Sequence, residues 1–152
     1  MRAPYQALTI PYRYENGTLM LCVFHRSDDE RIWQFISGGG EDAETPIEAA
    51  CREVFEEAGI RVSSLTPLDA RAHVPTCFFD DPSIFCWPSD TYVIPEYTFA
   101  FACEEEPHIS EEHTEYAWMT FDEAWERLYY DSNRTAMYEL RCRLEKKDIN
   151  KK

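Results

Sequence analysis

The sequence has no run approaching the ~20 consecutive apolar residues of a membrane span. Its start, Met1-Arg2-Ala3-Pro4, places a charge and a proline where a secretory leader would carry an apolar core. These absences lead to the expectation of a soluble, cytoplasmic protein. The six cysteines (Cys22, Cys51, Cys77, Cys86, Cys103 and Cys142) contain no C-x-x-C pair, and several lie among apolar residues. They read as reduced packing residues rather than disulfides or zinc ligands. Basic residues are scarce: 15 Lys and Arg stand against 29 Asp and Glu, a net charge of −14. That argues against a nucleic-acid backbone as partner, because such a backbone is held by clustered Lys and Arg. No repeat, low-complexity tract or linker divides the chain, so residues 1–152 are expected to form one domain.

An acidic protein can still handle phosphates where divalent cations bridge the like charges, and that requires carboxylates grouped at ligand spacing. Gln6 to Tyr14 and Thr18 to His25 read as strands joined at Asn16-Gly17, a tight-hairpin signal. Asp28 to Arg31 is a polar loop, followed by a short strand over Trp33 to Ile36 and a Gly38-Gly39-Gly40 turn. After the first helix, Ile60 to about His73 reads as extended, and a loop rich in Pro, Asp and aromatics runs to about Asp90. Thr91 to Cys103 is a strand, Glu104 to Glu115 an acidic loop, and Tyr116 to Met119 a short strand. Thr120 and Glu123 form a capping box for a helix through Leu128, and a last helix runs from near Asn133 to Lys146-Lys147. This order implies an α+β chain with helices packed on a mixed sheet.

The first helix is the clearest element. Thr45-Pro46-Ile47-Glu48 is a capping box with proline at the first helical position, and Gly59 is the stop. Ile47, Ala50, Cys51, Val54, Phe55 and Ala58 recur as an apolar stripe. Glu53, Glu56 and Glu57 share one face, where like charges repel and oppose the helix dipole. Taken alone, the helix leaves two readings, a solvated charged face or a Mg²⁺ site. Arg52, four residues before Glu56, can hold a carboxylate in place.

Gly38, Glu44, Arg52, Glu53, Val54, Glu56, Glu57, Gly59 and Ile60 satisfy G-x5-E-x7-R-E-U-x-E-E-x-G-U, where U is a bulky aliphatic residue. In these residues the chain resembles the Nudix hydrolase family, with a signature at 38–60. Ala43 departs from the glycine that many members carry before the first glutamate. The resemblance implies the Nudix fold, an α/β/α sandwich around a mixed sheet. It also implies Mg²⁺ or Mn²⁺ and attack of water on a phosphorus of a nucleoside-diphosphate-like substrate. Glu56 and Glu57 are then the main metal ligands, and Glu53 is a further ligand or the base. Arg52 orients the carboxylates, Glu44 has a structural part, and Gly38 and Gly39 give backbone contacts.

Trp33-Gln34, Glu112-His113, Tyr116, Trp118 and Ser132-Asn133-Arg134 resemble the subgroup that hydrolyses dihydroneopterin triphosphate and also handles dATP. That likeness implies a small nucleotide-like or pterin phosphate as partner, cut to a monophosphate and pyrophosphate by a monomer or homodimer. It makes Glu112 an added metal ligand or catalytic carboxylate, a part that Glu111 or Glu115 can take instead, and makes Trp33, Gln34, Asn133 and Arg134 substrate contacts. Read from the residues themselves, Trp33 is core, and Ser132-Asn133 is either a helix cap or a polar contact. The Glu-His-x-x-Tyr-x-Trp piece is shared with diadenosine tetraphosphate hydrolases, which keeps that activity as an alternative. A more distant one is a non-catalytic ligand-binding module of the same fold.

Overall fold

The computed structural model describes residues 1–149; the last three residues of the expected domain, 150–152, lie outside the described residues. Strand β1 (Arg2–Glu15) turns into β2 (Thr18–Arg26) through Asn16 and Gly17, whose φ of 53° and 82° are those of the expected two-residue turn. Because β1 is 14 residues long, it serves two partners along one edge. Tyr12 to Glu15 pair with β2, while Gln6 to Thr9 pair with β4 (Ile36–Glu41), both antiparallel. The opposite edge of β1 pairs in parallel with β6 (Val93–Ala102), which pairs antiparallel with β5 (Thr66–Pro75). Strands β3 (Trp33–Gln34) and β7 (His113–Thr120) pair with β2. The seven-stranded mixed sheet thus opens between β2 and β4 as they leave β1 at different points.

Helix α1 (Pro46–Ala58) covers one face, burying Ala50, Val54 and Ala58 against Ala7, Phe24, Ile36 and Phe99. Helices α2 (Phe121–Arg127) and α3 (Asp131–Lys146) cover the other, where Ala124, Leu128, Met137 and Leu140 meet Leu8, Ile10, Leu21 and Phe35. The three layers are those of the expected α/β/α sandwich. Both capping boxes form, at Thr45 with Glu48 and at Thr120 with Glu123.

The expected Gly38–Gly40 turn is instead part of strand β4, with Gly38 opposite Ala7 and Gly39 opposite Gln6. None of the three has a positive φ, so backbone freedom is not their use. A Cβ on them would overlap the Glu53 carboxylate, the Arg2 guanidinium and the Tyr5 ring respectively. They are glycines because long side chains from elsewhere lie across that strand. The apolar stripe of α1 also differs, since Ile47 and Phe55 are exposed while Glu57 is buried. The loop after α1 is irregular until Thr66, where β5 begins. Helix α3 starts at Asp131 with Tyr130 as an N-cap that makes no side-chain bond, so Ser132-Asn133 does not cap it. All six cysteines are free, but Cys77 and Cys86 are exposed rather than packed.

Candidate active site

A cavity of about 860 Å³ occupies the opening of the sheet. At one end it is lined by Gly38, Gly39, Glu53, Glu112 and His113. Arg52 organises that end. Its Nε and one terminal nitrogen bond Glu44 at 2.7 and 2.9 Å, and that nitrogen also donates to the Gly39 carbonyl at 2.9 Å. The other terminal nitrogen reaches Glu53 at 2.9 Å and Glu56 at 3.1 Å. Glu44 also accepts from the Glu41 N–H and is held below the usual carboxylate range chiefly by Arg52. It therefore joins the helix start to strand β4 and fixes the guanidinium that positions Glu53.

Glu57 is 1% exposed, and neither carboxylate oxygen is met by a donor from a basic or amide group; it lies against the Glu53 carboxyl, with which it can share a proton. Burial, reinforced by Glu53, pushes its carboxyl well above the usual range; burial also raises Glu53, against the pull of Arg52. His113 Nε2 stands 3.7 Å from Glu57, a contact too long for a hydrogen bond. Burial, with help from Arg26, lowers the His113 imidazole to about 4, so it is neutral at pH 7 and leaves Glu57 uncompensated. An isolated buried carboxylate is strongly unfavourable. Two uncompensated oxygens beside a second acidic group are the donor set that a hard divalent cation takes.

The structure separates the three helix glutamates. Glu53 lines the cavity, Glu57 is buried next to it, and the Glu56 side chain is 53% exposed and bound to Arg52; neither Glu56 nor Glu57 is itself in the lining. Glu112 arrives from a different element. Its loop docks on the last turn of α1, with the N–H groups of His108 and Ser110 donating to the carbonyls of Ala58 and Glu57. Those bonds satisfy helix-end carbonyls and carry Glu112 to the cavity. Among the described residues, no three His, Cys, Asp or Glu groups are gathered closely enough to enclose an ion unaided. Mg²⁺ keeps several waters and shares substrate phosphates, so the neighbouring carboxylates of Glu53 and Glu57 are the donor pair present for such an ion, with Glu112 on the loop that lines the same cavity.

Of the expected substrate contacts, Gln34, Gly38, Gly39 and Asn133 line the cavity. Trp33 does not: it is buried and stacks on His25 at 4.6 Å. Arg134 does not either, because it donates to the carbonyls of Trp125 and Leu128 and pairs with Asp131. Asn133 also serves the fold, its Oδ1 accepting the buried N–H of Phe35 at 2.9 Å. Sequence reasoning missed Arg2, Gln6 and Glu96, which line the same cavity together with Phe78 and Phe79 of the aromatic-rich loop. Strand parity could have found two of them: Gln6 shares a face with Leu8 and Ile10, and Glu96 with Ile94 and Thr98.

A glutamate-bearing helix clasped by arginine, set against a glycine strand in a three-layer sandwich, defines a Nudix hydrolase site. Residues 6–140 match the NUDIX domain, and the chain belongs to that family of pyrophosphohydrolases. It is 30% identical over 132 residues to the dihydroneopterin triphosphate diphosphatase of Escherichia coli (strain K12), covering 82% of this chain and 84% of that one. A NUDIX-hydrolase crystal structure from Listeria monocytogenes is 38% identical with a TM-score of 0.84, covering 97% of this chain and 99% of that one. A shorter stretch of 35 residues is 54% identical to the RNA pyrophosphohydrolase of Rhizobium meliloti, covering 23% of this chain and 21% of that one. The family generally uses a divalent metal such as Mg²⁺. Among the described residues, no helix is long and apolar enough to cross a membrane.

Proposed function

We propose that this chain is a Mg²⁺- or Mn²⁺-dependent pyrophosphohydrolase that cuts a nucleoside triphosphate-like compound, of the dihydroneopterin triphosphate or dATP type, between its α and β phosphorus. The observation that carries the reading is Glu57, buried with neither oxygen met by a basic or amide donor, beside Glu53, which lines the cavity. The likeness to the Escherichia coli dihydroneopterin triphosphate diphosphatase supports the substrate class.

In this reading Glu53 and Glu57 hold the ion, and Glu56 is a peripheral carboxylate that helps to fix Arg52. The bound ion supplies charge neutralisation at the phosphates and acidifies water. Arg52 aims Glu53, and the Gly38-Gly39 backbone lets the polyphosphate approach without a side chain in the way. Glu112 accepts a proton from the attacking water as its oxygen bonds to phosphorus. The bridging oxygen leaves with the pyrophosphate, so the products are a monophosphate and pyrophosphate.

The segment shared with diadenosine tetraphosphate hydrolases reaches the cavity only through Glu112 and His113, which suit either activity. Tyr116 and Trp118 hydrogen-bond Glu106 at 3.1 and 3.0 Å and do not line it. A panel of dATP, dGTP, dihydroneopterin triphosphate and diadenosine tetraphosphate, with products separated by chromatography, tests the reading. Monophosphate and pyrophosphate are expected with Mg²⁺, and none after exhaustive chelation. Dominant release of ATP and AMP from diadenosine tetraphosphate would reject the substrate class. Full activity without metal would reject the mechanism.

A further inference from the structure

One acidic group in the cavity has no part in that chemistry. Glu96, on β6, is 4% exposed and lies opposite Gln6 of β1, which in turn lies opposite Gly39 of β4. Two strand spacings separate Glu96 from Gly39, about 10 Å across the sheet, which sets it apart from the metal-holding end.

The hydrogen bonds around Glu96 all point the same way. Arg2, which can only donate, bonds Gln6 Oε1 at 3.0 Å and so fixes the orientation of that amide. Gln6 Nε2 is then turned to donate, to Ser37 at 2.9 Å and to Glu96 Oε2 at 3.1 Å. On the other flank, Asn133 Nδ2 donates to Ser132 Oγ at 3.2 Å, which leaves the Ser132 hydroxyl proton free to favour a charged Glu96. Glu96 is therefore the terminal acceptor of a chain of donors. Its Oε1 still has no partner. A buried acceptor left unmade is unfavourable by roughly 1–3 kcal/mol, and more when charged. The Ser132 hydroxyl serves one side of the carboxylate, and a donor brought in from the cavity can serve the other.

The shape of this end says what carries the donor. Phe78 and Phe79 wall it, and the Arg2 guanidinium lies 4.7 Å from the centre of the Phe79 ring. A planar heterocycle stacks on such a wall with its edge toward the sheet.

We propose that Glu96 is a specificity-determining residue that reads the ring edge of the substrate. It accepts from an amide N–H flanked by an exocyclic amino group, the 2-amino-4-oxo edge that guanine and pterin share. Between the two candidate substrate types it favours the pterin over dATP, because adenine presents an unprotonated nitrogen at that edge and two acceptors would then face each other. Burial raises the Glu96 carboxyl while Gln6 and Ser132 oppose the rise, so a ring donor adds to the forces holding it ionised. The assignment rests on reading the cavity as a nucleotide-like triphosphate site.

Calorimetric titration of the full chain with guanosine and adenosine monophosphates tests it without requiring turnover. The parent protein is expected to bind the guanine compound more tightly. Glu96→Gln should weaken that compound at least about tenfold, the effect of losing one charge-assisted bond, and leave the adenine compound within about twofold. Equal binding of both by the parent overturns the assignment whether or not the variant folds, and so does a folded variant that keeps the guanine affinity. Ring preference with no release of pyrophosphate from the substrate panel would instead reject the hydrolytic reading and leave this one standing.

Discussion

Two residues named together by the family signature are placed in different surroundings. Glu57 is buried with no basic or amide donor, while Glu56 is bound to Arg52 and half exposed. Glu57→Gln should lower kcat by at least ~10²-fold, the scale of a lost electrostatic contributor. Glu56→Gln should lower it less, because the removed charge faces solvent and Arg52 keeps Glu44 and Glu53. Metal-free Glu57→Gln should be no less stable than the parent, since a raised carboxyl is replaced by a neutral group of equal size. Steady-state kinetics with thermal melts in chelator read both arms, and a larger loss at Glu56 would contradict the placement. Arg134 offers the converse case. Its bonds go to carbonyls at the end of α2, so Arg134→Ala should lower stability by about 1 kcal/mol and leave KM unchanged. A raised KM with an unaltered melt would restore it to the substrate site.

At the scale of elements, the joint between α3 and the β3–β4 corner rests on one amide. Asn133→Ala strands the Phe35 N–H in the core, and chemical denaturation should show a loss of about 1–3 kcal/mol. That joint was not legible in the sequence, because its partners lie 98 residues apart. Elements specified by neighbours were legible: the Asn16-Gly17 hairpin, the Thr45 capping box and the Gly59 stop all formed. The glycine strand was misread for the same reason that Asn133 was. Glycine next to glycine suggests a turn, and only the folded chain shows Glu53, Arg2 and Tyr5 lying across it. The inward turn of Glu57 could have been read, since it follows Ala50 by seven and Val54 by three, helical spacings on the buried face. The charge of glutamate masked the periodicity.

For the molecule as a whole, the buried acids set how stability varies with pH. Glu57 and its neighbour Glu53 are raised by burial in the folded chain from an ordinary value of 4.5. The folded state thus keeps protons that the unfolded state has released. The stabilisation is complete below 4.5 and fades as pH climbs through the raised folded values. His113 acts in the opposite sense, with its loss confined to pH below its ordinary 6.5, where the unfolded chain takes the proton first. Metal-free protein should therefore melt at a higher temperature at pH 6.5 than at about pH 8, with the gain checked below 6.5. Saturating Mg²⁺ should flatten the difference, because the ion stabilises the ionised carboxylates. A metal-free melting temperature that rises from pH 6.5 to about pH 8 would contradict the burial of these acids.

The wall of the cavity is attached in a particular way. Between β5 and β6 the chain makes an excursion that closes at its neck, where the Thr76 N–H bonds the Tyr92 carbonyl at 2.9 Å, just beyond the Pro75–Val93 pair. Phe79, Phe85 and Trp87 pack on one another inside it, and the Trp87 indole N–H bonds the Arg2 carbonyl. A segment built on its own aromatics and joined through a closed neck is an exchangeable cassette. Residues 77–91 could be swapped for a short hairpin while β5 still pairs with β6 and the arginine-clasped helix stays in place. Such a chain should still hydrolyse a simple triphosphate but hold any ring more weakly, since Phe78 and Phe79 leave the cavity while Glu96 stays on β6. Ring affinity is then adjustable through one insert, with the hydrolytic apparatus left as it is.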